Sequence, residues 1–346
     1  MKKLIAAFLT LTCLWCSSCS EDFQVTAPYK DITFVYSFLS MQDNAHYIRI
    51  QKAFLDENKS AVEMAKEADS NYYQNLEVTV REISGKNILN NFPLQKVDMA
   101  QEGLPKDTGS FFDNPSYAYK FTHKLDPQYN YRLVIFNPQN GYSDSSEIKI
   151  VDTTKLYLSL SSNSKFKFDK TIPANTSKYN LVILNNPGSN IKYMEGFIRF
   201  FWDDKNIVSG DVIRKSADFL LDSRPTGSSS QEVMTTSNQS FYYFLKSVMG
   251  DAPDNHERYL DSCDFYVYAG GVHYYNYRLA KTFHSGLTAD QSQPIFTNII
   301  GKDIYGLFST KAVAFKLQVP IDTATMDSLM LNSITNPLRI KGTANH

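Results

Sequence analysis

Three groups of residues in this chain are of types that do chemistry. The first is a thiol, Cys19, placed directly after two small residues, Ser17 and Ser18, and before the acidic pair Glu21-Asp22. The second is the run from residue 266 to 277, in which Tyr266, Tyr268, Tyr274, Tyr275 and Tyr277 accompany His273 around Gly270-Gly271. The third is scattered carboxylates: Asp203-Asp204 after Phe201-Trp202, and Asp251, Asp254 and Glu257 around His256. A thiol directly after two small residues suits cleavage beside it, because a signal peptidase admits only small side chains beside the cut, so Cys19 is a candidate modification site. Tyrosines and a histidine beside a Gly-Gly pair offer stacking and hydrogen bonds where the backbone can be approached closely, so Tyr268, His273, Tyr274 and Tyr275 are candidate ligand contacts. The plainer alternative is a strand-to-helix turn whose tyrosines pack a core.

The carboxylates make a weaker case. The cluster at 251–257 lacks the Asp-x-Asp-x-Asp-Gly spacing of a calcium loop and reads more simply as a solvated loop. Asp203-Asp204 reads as part of a hairpin turn at 203–206, although a carboxylate beside an aromatic could serve a sugar site. A glycosidase needs two carboxylates at a set separation, which spacing along the chain does not test. Beyond the leader there is no phosphate-binding Gly loop, Cys-x-x-Cys pair, His-Glu-x-x-His or Gly-x-Ser-x-Gly elbow. The expectation is therefore a non-enzymatic protein without a cofactor or a metal.

The leader fixes the location expected for the rest. Met1-Lys2-Lys3 is a positive start and residues 4–16 are an apolar run, shorter than the roughly 20 residues a spanning helix needs. Residues 1–18 are read as a signal peptide and Cys19 as the new, lipidated N-terminus, because a small residue followed by Cys resembles the bacterial lipobox. Cys16 stands where that pattern usually has Leu. A plain secretory signal cut near Ser18 is the alternative. Multiple acyl chains such as diacylglycerol and palmitate hold a protein firmly, whereas one chain binds only marginally. Ser20-Glu21-Asp22 resembles the export signal that carries Bacteroidota lipoproteins to the outer leaflet of the outer membrane; the periplasmic leaflet is the alternative.

Composition adds bounds. The 346 residues leave one or two domains after the leader, and 35 Lys+Arg against 36 Asp+Glu gives no electrostatic case for nucleic acid. With Cys13 and Cys16 lost and Cys19 acylated, Cys263 is the last thiol of the mature chain, and its apolar surroundings predict an inert buried side chain. The 22 Tyr and 23 Phe against 2 Trp suit β-sheet.

The elements that must position these residues alternate with period two. Residues 33–39 and 46–52 read as an antiparallel pair, and Ser60-Ala61-Val62-Glu63 as a capping box opening a short helix to about Ala68. Residues 76–83 place Leu76, Val78 and Val80 inward, turn at 84–87, and return over 88–97. Residues 117–120, 131–136 and 146–151 complete an immunoglobulin-like β-sandwich over 31–151, after an acylated linker over 19–30. A larger β-rich domain with several short helices is predicted over 152–346. Its strands fall at 156–160, 166–168, 179–184, 193–202 and 338–341. Its helices are 241–249 capped by Ser240 and stopped by Gly250, 272–284, and a piece at Met326-Leu329-Met330.

Several phrases are similar to an uncharacterised family of Bacteroidota outer-membrane lipoproteins. They are His46-Tyr47-Ile48-Arg49-Ile50-Gln51-Lys52-Ala53-Phe54-Leu55, Asp69-Ser70 with Tyr72-Tyr73, and Phe296-Thr297-Asn298-Ile299 leading to Gly306-Leu307-Phe308-Ser309. The last departs from the pattern, with residues 301–305 where a shorter Gly-rich turn is expected. The similarity spans most of the mature chain and carries no known catalytic residue. It implies an accessory or binding role at the cell surface beside an outer-membrane barrel such as a TonB-dependent receptor. A surface glycan hydrolase, and an adhesin or structural lipoprotein, are the alternatives. Asp152-Thr153-Thr154, Asp322-Thr323-Ala324 and Asp327-Ser328-Leu329 resemble the O-glycosylation acceptor of that phylum.

Overall fold

A computed structural model describes residues 32–52, 71–106, 115–168, 177–282 and 296–341. Cys19, the signal peptide and the capping box at Ser60 lie outside them. The architecture is mainly β. Eight strands come first: β1 (Thr33–Leu39), β2 (Ala45–Lys52), β3 (Glu77–Ser84), β4 (Asn87–Pro93), β5 (Gln95–Asp98), β6 (Tyr117–Thr122), β7 (Asn130–Asn137) and β8 (Tyr142–Lys149). They form two facing sheets, β5-β6-β2-β1 and β4-β3-β7-β8. Lettered A to G in chain order with an extra C′, this is D-E-B-A against C′-C-F-G, the strand order of an immunoglobulin-like sandwich.

Period-two alternation builds its core. Val35, Leu39, Ile48 and Ile50 of one sheet meet Val78, Val80, Leu133 and Ile135 of the other, all buried. The Tyr131 hydroxyl, at the start of the F-equivalent strand β7, accepts from the Asp126 backbone N–H at 2.9 Å and donates to Glu82 Oε1 at 2.5 Å. This is the tyrosine-corner contact of such sandwiches. Residues 88–97 are not one returning strand, as their sequence suggests. β4 pairs with β3, and after Leu94 the chain crosses to the other sheet, where β5 pairs with β6. Pro93 lacks the N–H needed to continue a ladder inward.

The second set comprises β9 (Leu156–Leu158), β10 (Lys178–Asn185), β11 (Tyr193–Asn206), β12 (Val212–Pro225), β13 (Gln231–Ser237), helix α1 (Asn238–Met249), β14 (His256–Gly270), helix α2 (Val272–Thr282), β15 (Ile304–Pro320), helix α3 (Thr323–Leu331) and β16 (Ile340–Lys341). Phe166 makes one bridge, to Ile321, rather than a strand. Ser237, not Ser240, caps α1, accepting from the Ser240 N–H; Gly250 ends it at φ 63°. Asp152 and Asp322 likewise accept from Thr154 and Ala324 N–H groups as caps. Asp-Thr at those two positions thus has a structural role of its own.

β15 joins the two sets. Its first half pairs parallel with β1, from Thr33↔Ile304 to Leu39↔Thr310, and its second half pairs antiparallel with β14. One nine-stranded sheet results, in the order β12-β11-β14-β15-β1-β2-β6-β5, with β16 beside β14. Gly306 permits the junction: it has φ 129°, and a Cβ there would overlap the Val35 carbonyl. The change of core falls between Ile150 and Val151, but Ile299, Ile304 and Phe308 return to the first core. Among the described residues, the stretch from Ile299 to Phe308 thus packs with the sandwich. Phe308, Thr310 and Ala312 share one face of β15 and are all buried, so both cores lie on the same side of the long sheet. The opposite side carries the candidate site.

Candidate functional site

Strands β11 and β14 are 14 and 15 residues long and send alternate side chains to opposite faces. Ile198, Phe200, Trp202, Phe265 and Val267 enter the core. Glu195, Phe197, Arg199, Tyr266 and Tyr268 face away from it. Register places Phe197 between Tyr266 and Leu220, Tyr266 opposite Phe315, and Tyr268 opposite Glu195 and Val313. Phe197 lies 5.4 Å from Tyr266 and 5.2 Å from Tyr268 between ring centroids, with interplanar angles of 26° and 15°. Phe315 extends the group, 6.5 Å from Tyr266. Phe315, Leu220 and Tyr268 are 56%, 60% and 39% exposed, so these side chains form a surface patch.

Charged groups bound the patch at both ends. The Arg199 guanidinium lies 5.6 Å from the Tyr266 ring centroid and donates from Nε and Nη2 to Asp218 at 2.6 and 2.9 Å, the forked geometry that suits a carboxylate. At the other end Glu195 accepts from the Tyr274 hydroxyl at 3.0 Å and pairs with Arg278 at 2.6 Å. Burial first, and the Glu195 charge second, push the Tyr274 hydroxyl up to about 12. Tyr274 reaches this position because its ring lies on the backbone of Gly270, where a Cβ would overlap it. The same ring meets Phe38 edge-on at 5.6 Å. Beyond Phe38 the face continues over β1 and β2 into a cleft of about 670 Å³ lined by Tyr36, Phe38, Tyr47, Arg49, Leu104 and Lys311.

The four tyrosine and histidine candidates thus separate. Tyr268 belongs to the patch, Tyr274 closes one end of it, and Tyr275 stacks on Tyr193 at 6.2 Å just behind. His273 is elsewhere: its Nε2 donates to the Glu147 carbonyl at 3.2 Å, and burial lowers its pKa. It fastens α2 to β8. Sequence reasoning missed Phe197, Phe315, Arg199 and Glu195. The signal was present in β11, where Glu195, Phe197, Arg199, Phe201 and Asp203 alternate with Gly196, Ile198, Phe200 and Trp202, giving aromatics on both faces.

Asp203 and Asp204, expected in a turn, are strand residues with partners. β11 runs through Asn206, and the turn comes at 207–210. Trp202 is buried, so it offers no surface beside Asp203. Asp204 is 5% exposed and accepts from His256 Nδ1 at 2.7 Å, Lys215 Nζ at 2.9 Å and Arg258 Nε at 3.4 Å. Burial would raise its pKa, but these hydrogen bonds and charges outweigh burial and hold it at about 2. The cluster at 251–257 disperses: Asp251 pairs with Lys246, Asp254 with Arg339, and Glu257 with Lys341. Among the described residues no three His, Cys, Asp or Glu side chains are grouped to hold a metal ion. Cys263 is fully buried, and burial raises its thiol well above the ordinary value.

No protein-family model matches the chain, and neither does any curated protein. Solved structures that align along most of it include two of CBD12. CBD12 from CALX1.2 is 8% identical over 81% of this chain and 98% of its own, at a TM-score of 0.18. The calcium binding domain CBD12 of CALX1.1 is 10% identical over 82% and 98%, at 0.15. TM-scores that low carry no argument about shared architecture, and the sandwich assignment stands on strand order.

Proposed function

We propose that this protein is a lipid-anchored binding subunit at the outer membrane, held through acylated Cys19 and displayed on the outer leaflet. It engages its partner with the outer face of the nine-stranded sheet. The observation that carries the reading is the patch of Phe197, Tyr266, Tyr268 and Phe315 on the side of the sheet away from both cores, in which Tyr268 and Phe315 are exposed and Phe197 and Tyr266 half-buried. Aromatic side chains and Arg are the types enriched where proteins bind proteins, and contiguous exposed apolar surface marks interaction sites. The face has polar ends suited to a rim, with Arg199–Asp218 on one side and Glu195–Arg278 on the other.

The site favours binding over turnover. Its carboxylates are committed: Glu195 to Arg278 and Tyr274, Asp218 to Arg199, and Asp264, opposite Arg199, to the Tyr266 hydroxyl at 3.3 Å and the Gln318 N–H at 2.8 Å. None of them is placed as a free acid beside a second free base. The partner class follows from the sequence resemblance: an outer-membrane barrel such as a TonB-dependent receptor. The test is affinity purification of the full-length protein from detergent-solubilised outer membranes. Stoichiometric recovery of a barrel supports the reading; recovery of the lipoprotein alone refutes it.

A further inference from the structure

β12 is the last strand of the nine-stranded sheet. It pairs with β11 along its length, and among the described residues no strand pairs with its other edge. That edge is 14 residues long, with Val212, Ile213 and Leu220 exposed by 54%, 58% and 60%. An edge of this kind presents a row of backbone N–H and C=O groups that templates another strand unless it is blunted. Register with β11 fixes its faces. Val212, Arg214, Ser216, Asp218 and Leu220 lie opposite Lys205, Asp203, Phe201, Arg199 and Phe197, so they belong to the outer face.

We infer that two copies of this chain pair antiparallel through β12, about a two-fold axis at Ser216. Charge complementarity along the edge selects this register. Pairing about Ser216 sets Arg214 of each copy against Asp218 of the other, and Val212 against Leu220. It also sets Lys215 against Ala217, so no like charges meet. Within one copy Arg214 already donates to Asp203 at 3.0 Å and to Asp261 at 3.3 Å, and Arg199 to Asp218 at 2.6 Å. The paired edges therefore complete a row Asp203, Arg214, Asp218, Arg199 in which the sign alternates across the junction, and the two-fold axis produces that row twice. Neighbouring registers that keep outer residues on one face do worse. An axis at Arg214, Lys215 or Asp218 opposes identical charges, and an axis at Ala217 leaves Arg214 facing Leu220. Opposite charges directly across a strand pair stabilise it and like charges destabilise it. The interface is isologous, with one strand meeting itself. The two sheets become one, with both aromatic patches on the same side.

The experiment uses the full-length chain with Ser216→Cys, treated with a short bis-maleimide and run on a denaturing gel. Directly opposed residues have Cα atoms about 4.5–5.5 Å apart, so a cross-linked band at twice the mass of the monomer band is expected at least tenfold above a Ser209→Cys control. Ser209 is an exposed turn residue off the strand, and the same axis carries its two copies far apart. Val212→Cys and Leu220→Cys should cross-link when the two variants are mixed and not when each is alone. Sedimentation of the untreated wild type should give a dimer. Ser216→Cys cross-linking no better than Ser209→Cys would overturn the inference. A dimeric mass without the 216 cross-link would overturn it too, since the copies would then meet elsewhere.

Discussion

Tyr268 of β14 stands directly across from Glu195 of β11, and that carboxylate is held by Tyr274 and Arg278 of helix α2. The exposed aromatic patch and the helix that follows β14 are thereby coupled through one acidic side chain. The coupling depends on Gly270, over which the Tyr274 ring lies. Gly270→Ala should displace that ring at a cost of about 1–3 kcal/mol, the range for overpacking a filled site. Urea unfolding would measure it. A variant as stable as the wild type would show that the ring contact is dispensable.

Asp204 predicts the acid limb of stability. Its folded pKa of about 2 lies below the ordinary 3.8, so its stabilisation is complete above about pH 4 and disappears as the pH falls through about 2. A shift of that size corresponds to about 2 kcal/mol. Asp204→Asn should abolish this part of the acid dependence. It should also cost about 3 kcal/mol at neutral pH, because Arg258 is left buried without its carboxylate. Thermal melts of both proteins between pH 2 and pH 7 would test the two effects together.

Tyr131→Phe removes a hydroxyl that accepts from Asp126 and donates to the buried Glu82. Glu82 keeps Asn90 at 2.5 Å and His123 at 3.3 Å, so the expected loss is about 1–2 kcal/mol rather than collapse. Chemical denaturation monitored by tyrosine fluorescence and circular dichroism would read it. No loss would mean that the corner contact is not formed in solution.

Much of this fold was legible along the chain, and the misses share a cause. Alternation in β2, β3 and β7 is local, so Ile48, Val80 and Leu133 declare their faces without reference to the rest. Pairing partners are not local. β1 meets β15 across some 270 positions of sequence, and no spacing announces it. Asp203 and Asp204 read as a turn because consecutive carboxylates favour solvent, yet the cations that keep Asp204 in the strand, Lys215 and Arg258, arrive from two other strands. The tyrosine-rich run was recognisable as a feature, but its division into Tyr268 on the patch and His273 on the far side follows from the bend at Gly270-Gly271.

Removing exposed rings should separate binding from folding. Tyr268→Ala and Phe315→Ala alter side chains that are 39% and 56% exposed, so each should change stability by no more than about 1 kcal/mol. Their loss would fall instead on association, where buried aromatic anchors dominate.

The most direct measurement is therefore a comparison. Full-length wild type and the Tyr268→Ala/Phe315→Ala double variant are each purified from detergent-solubilised outer membranes, and co-purifying proteins are identified by mass spectrometry. Stoichiometric recovery of an outer-membrane barrel with the wild type, reduced at least tenfold with an equally folded variant, is the predicted result. Recovery with neither, or equally with both, would contradict the assignment of the exposed sheet face as the binding surface.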